Sequence, residues 1–200
     1  LCTWILNLRN NLQMKILYGV QATGNGHISR SREVISELKK RGHEVSVILS
    51  GRDPAQLWDM DIFKPYTALK GLSFVIKNGK IDKLKTAMNL DVPCMFKDAS
   101  EYDPTGIELV IIDFEPVTAR IAKKHKIPLI GIGHQYAFNY NIPMDGRKII
   151  DKLIMKYFAP AQYNIGLHWH HFNQPVLPPI IPPLQRDSSK VIKNKIIVYL

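Results

Sequence analysis

Lys15-Ile-Leu-Tyr-Gly-Val20, followed by Gln21-Ala-Thr-Gly24-Asn25-Gly26-His27, is the stretch from which the fold is read. A short apolar run, a glycine-rich turn and then a helical pattern with Ile28, Ile35 and Leu38 on one face give strand, tight loop and helix, the opening of a βαβ unit. Lys39, Lys40 and Arg41 complement the carbonyl end of that helix, and Gly42 supplies a left-handed stop. Glu44 to Leu49 reads as the second strand.

Further along, the irregular stretch from Asp53 to Pro65 leads to an expected strand at Gly71 to Lys77 with a turn at Asn78-Gly79, then a helix over 81–90. Glu108 to Asp113 is a continuous apolar run of the kind buried on both faces. Pro116 starts a helix that runs to His125, and Pro128 to Ile132 is the next strand. A basic amphipathic helix from about Gly146 to Phe158 sets Lys148, Lys152 and Lys156 opposite Ile149, Ile150, Leu153 and Ile154. A last strand spans Tyr163 to His168. Alternation of this kind predicts an α/β fold, a Rossmann-like doubly wound parallel sheet.

Composition narrows the classes. The 200 residues are 46% apolar and 22% charged with a formal net charge of +10, which fits a globular domain and excludes collagen-like and disordered chains. No run reaches the roughly 18 apolar residues of a membrane span. Two cysteines, Cys2 and Cys94, make no disulfide framework and point to a reducing cytoplasm. The charge invites polyanions without choosing among nucleic acid, acidic lipid and phosphate-bearing small molecules.

Parallel strands gather the loops that follow them on one edge, where open α/β sheets bind ligands. Three such loops carry chemistry: Gly24-Asn25-Gly26-His27, Asp113-Phe114-Glu115-Pro116, and Gly131-Ile132-Gly133-His134-Gln135. The glycines admit close backbone approach, and the helix N-terminus behind the first loop offers N–H groups to an anion. The simpler roles are a tight connection for the glycine loop, helix capping for Asp113 and Glu115, and an ordinary loop residue for His134. His168-Trp169-His170-His171 resembles a metal cluster but lacks a neighbouring carboxylate or cysteine, so no metal is assigned. His43 and His125 lie near helix C-termini, where a cation is favourable.

Ser29 replaces the third glycine of a dinucleotide fingerprint, and Ser50-Gly51-Arg52 stands where the ribose-binding acid belongs. NAD is thereby disfavoured, and an NADP-binding protein using Arg52 is left as an alternative. A basic nucleic-acid-binding module is a second alternative resting on charge alone, with no motif behind it.

Residues 14–30, Arg41-Gly42-His43-Glu44-Val45, Asp113-Phe114-Glu115-Pro116 and Gly131 to Phe138 together resemble the N-terminal acceptor domain of GT-B glycosyltransferases, in the branch similar to MurG and its bacterial and archaeal relatives. The resemblance implies the first half of a two-domain fold: residues 1–13 as a non-native or upstream extension, 14–174 as the Rossmann-like acceptor domain, 175–194 as a Pro-rich interdomain linker, and 195–200 as the first strand of a C-terminal donor domain. It implies transfer of a sugar, in the manner of a hexosyltransferase, from a nucleotide-sugar, usually a UDP-sugar, to the hydroxyl of a carbohydrate or lipid-linked acceptor. The nucleotide-sugar is then a substrate and no cofactor is needed. The fragment is expected to be inactive without its donor half, and cytoplasmic, peripheral to the inner face of the membrane if at all, with no nucleic-acid partner. Gln21, Ala22 and Asn25 replace glycines of the MurG-type loop, which separates this chain from that enzyme's acceptor. The general base is expected among His27, Asp113, Glu115 and His134, with His27 and Asp113 favoured. Gly24, Asn25, Gly26, Gly133 and Gln135 are expected to contact phosphate or substrate.

Overall fold

The computed structural model describes residues 13–72, 76, 77, 80, 81, 91–143, 153, 154 and 156–182. Seven parallel strands form one sheet: β1 (Lys15–Gln21), β2 (Glu44–Ser50), β3 (Tyr66–Leu69), β6 (Leu109–Asp113), β7 (Leu129–Gly133), β8 (Tyr163–Leu167) and β9 (Val176–Leu177). Their order is β3-β2-β1-β6-β7-β8-β9, and every neighbouring pair is parallel. The chain winds outward from β1 to β3, then crosses back to β6 and winds the other way. The turning point lies between β1 and β6, the position at which open α/β sheets generally bind ligands.

The apolar runs are explained by burial on both faces. Ile16, Tyr18, Val20, Val47, Leu49 and Ile111 join one core cluster with Ile28 and Ile35 of α1 (Asn25–Lys40). Leu17, Ile48, Val110 and Ile112 point the opposite way, into a second cluster with Met95 and Ala99 of α2 (Val92–Glu101) and Val117 and Ile121 of α3 (Pro116–His125). Successive residues of β1 and β6 thus alternate between two buried faces, which demands apolar side chains at nearly every position. Close packing depends on glycine as well: a Cβ on Gly19 would meet Thr118 Oγ1 at 2.5 Å and Glu115 Oε2 at 3.0 Å, so its absence lets the start of α3 lie on β1. Gly166 plays the same part for the single-turn helix α4 (His134–Ala137), whose Ala137 Cα would lie 2.5 Å from an added Cβ.

Several expectations change. The third sheet strand is Tyr66–Leu69, not 71–77; within the latter, Ile76–Lys77 (β4) pairs antiparallel with Lys80–Ile81 (β5) outside the main sheet. Tyr66–Leu69 is an edge strand of four half-exposed or exposed residues, so it carries no apolar signature. Helix α2 was not foreseen; it is started by Asp91, whose side chain accepts the Cys94 N–H. Val176–Leu177 belongs to the sheet, so the last strand among the described residues lies inside the proline-rich segment. That agrees with proline's confinement to sheet edges. Leu153, expected on an apolar helix face, is 45% exposed, while Ile154 packs against the core. His43 is buried beside the start of β1, its Nδ1 accepting the Met14 N–H. The expected turn at 78–79, most of the helices over 81–90 and 146–158, residues 1–12, 183–194 and the strand over 195–200 lie outside the described residues. No helix among the described residues is long and apolar enough to cross a membrane.

Candidate active site at the sheet's turning point

Asp113 ends β6 with its side chain fully buried, and four donors converge on it. Arg30 holds it bidentately, Nε to Oδ2 at 2.8 Å and Nη2 to Oδ1 at 2.7 Å, and Ser31 Oγ donates to Oδ2 at 3.3 Å. His27 Nδ1 lies 2.7 Å from Oδ1. That short contact to a carboxylate calls for a proton on Nδ1, which in a neutral ring leaves the lone pair on Nε2. His27, Arg30 and Ser31 stand at i, i+3 and i+4 on α1, which sets them on one face. Burial works against the Arg30 charge, yet the hydrogen bonds and attraction of Asp113 hold its pKa above the ordinary value. Tyr18, buried below, has its hydroxyl pushed far up by burial first and Asp113 second, so it stays protonated.

The two carboxylates of the second loop are pulled apart by one backbone feature. Phe114 adopts left-handed backbone at φ 53°, fixed by stacking on Phe158 at 5.1 Å and an edge contact with Tyr136 at 5.9 Å. The chain reverses there, so Asp113 meets α1 while Glu115 turns to the start of α3. Glu115 is fully buried and caps that helix: Oε1 accepts from Val117 N at 2.8 Å and Ser50 Oγ at 2.6 Å, and Oε2 from Thr118 N at 2.6 Å. Desolvation raises its carboxyl above the usual carboxylate range, against the pull of these donors. The capping role foreseen for both acids therefore belongs to Glu115 alone.

Gly24 is the residue before α1, extended at φ −120°, and the helix has no side-chain cap and no acidic residue in its first turn. Its positive end is therefore not offset by an acid of its own first turn. A Cβ on Gly24 would lie 3.3 Å from His27 Cδ2, whereas one on Gly26 would meet nothing. Arg52 clamps the loop, donating to Asn25 Oδ1 at 2.9 Å and to the Thr23 carbonyl at 3.1 Å. Gln21 is spent on structure, its Nε2 donating to the Leu72 carbonyl at 2.8 Å.

In the third loop Gly133 backs directly onto the acid. A Cβ there would come within 3.2 Å of Asp113 Oδ1 and of Gln135 Oε1, and within 3.5 Å of Arg30 Nη2. Gln135 Oε1 is buried without a hydrogen-bond partner among the described residues. His134 is exposed; its Nδ1 lies 3.1 Å from the Leu167 carbonyl and its ring stacks on His168 at 5.5 Å. The structure thus brings His27, Asp113, Gly133 and Gln135 together, sets His134 to one side and removes Glu115 to the helix cap. Arg30 and Ser31 were missed as site residues; polar groups three and four positions after His27, interleaved with Ile28 and Ile35, were the available signal. Among the described residues no three His, Cys, Asp or Glu side chains are grouped to hold a metal ion.

A family model described as glycosyl transferase family 1 matches residues 14–199. Among solved structures the chain is similar to MurG of Acinetobacter baumannii, with 14% identity, TM-score 0.46 and coverage of 88% of this chain and 44% of that one. It is similar to SsfS6, a glycosyltransferase of Streptomyces sp. SF2575, with 13% identity, TM-score 0.42 and coverage of 78% and 50%. A third is UGT89C1 of Arabidopsis thaliana complexed with UDP-L-rhamnose, with 13% identity, TM-score 0.45 and coverage of 72% and 40%. The chain spans half or less of the length of each. No curated protein matches it significantly in sequence.

Proposed function

The chain belongs to glycosyl transferase family 1, and from that premise we propose that it is the acceptor-side, N-terminal part of an enzyme moving a sugar from a UDP-sugar to an acceptor hydroxyl. The observation that carries the reading is the His27–Asp113 pair, 2.7 Å apart at the sheet's turning point. An acceptor hydroxyl must lose its proton as it attacks the anomeric carbon, and the departing diphosphate must be stabilised. Neutral His27, donating through Nδ1 to Asp113, keeps Nε2 as the proton acceptor. As the imidazolium forms, Asp113 stabilises it without taking the proton. Arg30 and Ser31 position Asp113. Glu115 is committed to its cap, and His134 leans on a backbone carbonyl, which stabilises an imidazolium less than a carboxylate does.

Charge on the phosphates or on the acceptor is met by the uncapped start of α1 and by Arg52, whose hydrogen bonds go to neutral acceptors. Gly133 and Gln135 border the same site and contact substrate in this scheme. A donor domain following this one completes the site, so the 200 residues alone do not transfer sugar, and no cofactor beyond the nucleotide-sugar substrate takes part. The working location in this reading is the cytoplasm, at the inner membrane face where the acceptor is lipid-linked. In the full-length parent, H27A and D113N are each expected to lower kcat by about 10²–10⁴-fold. Wild-type transfer rates in both variants would overturn the assignment.

A further inference from the structure

On the same sheet edge, past β8, lies a surface of a different chemical character. Residues 157–185 contain no Asp, Glu, Lys or Arg, in a chain that is 22% charged with net charge +10. At the centre of this stretch Trp169 is 84% exposed, flanked by the exposed His170 and His171. A large aromatic side chain left in water beside a binding edge marks a contact surface.

The histidines are fixed as hydrogen-bond donors. His170 Nδ1 accepts the Phe172 N–H at 2.9 Å, and His171 Nδ1 accepts the Asn173 N–H at 2.9 Å. With Nδ1 engaged as an acceptor, the proton of each neutral ring sits on Nε2. A metal taken through Nε2 would require that proton to move to Nδ1, against the backbone N–H, at each ligand. The two rings stack on each other at 4.9 Å, and His170 also meets Phe172 edge-on at 4.6 Å. Beside them opens a shallow depression of about 510 Å³ lined by Asn141, Ile142, Pro143, His170, Phe172 and Asn173. Carboxamides, imidazole N–H groups and aromatic faces, with no formal charge, suit a neutral polyhydroxylated ring. Hydroxyls take the amides and N–H groups, and the C–H face of the sugar lies on the negative face of an indole. Residues 157–185 themselves offer no cation to a polyanion or an acidic lipid surface.

We propose that Trp169, His170, His171, Asn141 and Asn173 form a subsite for an uncharged glycan, the sugar portion of the acceptor. The subsite adjoins the third loop, where His168 stacks on His134. The inference rests on the glycosyl-transfer reading and adds the class of acceptor to it.

The test uses the full-length protein and four neutral probes: cellotetraose, maltotetraose, mannotetraose and chitotetraose. Binding is followed by calorimetry and by tryptophan fluorescence in a W58F background, since Trp58 is also exposed. Saturable binding of at least one probe is expected, with a fluorescence change lost in W169A. Affinity should fall about tenfold in W169A and severalfold in H170A, with recovery in H170Q, which keeps an N–H donor. Trp169 is exposed, so W169A is expected to fold, and circular dichroism checks it. No binding at millimolar probe, or unchanged affinity in W169A, would overturn the subsite. So would a glycan-independent dimer that W169A dissolves, since the tryptophan would then serve a second copy. Glycan binding that persists in a protein unable to use any nucleotide-sugar sinks the transfer reading alone. Transfer that persists without Trp169-dependent glycan binding sinks the subsite alone.

Discussion

Asp113 concentrates the chemistry of the molecule into one carboxylate. It is wholly buried yet ionic, held by Arg30, Ser31 and His27 at once, and removing its charge strands a partly buried guanidinium. D113N is therefore expected to destabilise the fold by about 3 kcal/mol, read as a shift of the urea midpoint, besides lowering activity. Replacing both members of the ion pair, Arg30→Met with Asp113→Leu, should recover most of that stability while leaving the enzyme inactive. Equal destabilisation of the single and double variants would show that the pair is not the stabilising unit. Asp113 was legible because it ends a strand, and His27 because it follows the glycine-rich loop that opens α1. Arg30 and Ser31 were not singled out, since a serine and an arginine on a basic helix look like solvated surface until the acid they hold is known to lie 83 and 82 residues away.

At the scale of elements, the joint between β1, β2 and α3 decides which acid does what. Glu115 ties Ser50 of β2 to the first turn of α3, and Gly19 of β1 makes room for Thr118. G19A is expected to cost about 1–3 kcal/mol through overpacking, checked by thermal or urea denaturation; a neutral effect would mean that α3 slides away freely. Glu115 also gives a pH signature. Burial raises its folded pKa above the unfolded one, so the folded state holds the proton more tightly. Its contribution to stability is thus fully present below the unfolded pKa and is lost as pH rises through the folded value. Measured from roughly pH 4 to 8, the stability of the wild type relative to E115Q should decline as pH rises; a difference that grows with pH would contradict the assignment. The order Asp-Phe-Glu-Pro shows two acids beside a helix start. Only the left-handed Phe114, held by its ring contacts, separates the capping acid from the site acid.

At the scale of the whole molecule, the described residues divide one edge of the sheet into two chemical zones. Around β1 and β6 lie the buried acid, His27, Arg30 and Arg52; past β8 lies the uncharged aromatic and imidazole surface. The charge of +10 is thus excluded from one stretch of the edge, so it does not describe that edge as a uniform polyanion-binding face. On the proposed function, calorimetry on residues 1–200 is expected to show no tight UDP binding, and the full-length parent should bind it. Micromolar affinity in the 200-residue chain would place the nucleotide on this domain instead.

By itself the sequence determined the alternation of strands and helices, the parallel sheet and the three loops on its edge. Those follow from local periodicity, capping and glycine placement, which act over a few residues. Only the tertiary structure decided that Tyr66–Leu69 completes one side of the sheet, that Val176–Leu177 closes the other, and which of two neighbouring acids remains available. An edge strand needs no apolar pattern, and a carboxylate's role depends on donors brought from other elements. Contacts across 65 to 86 residues of chain settle it, as Ser50 does for Glu115 and His27 for Asp113, and no local signal carries that information.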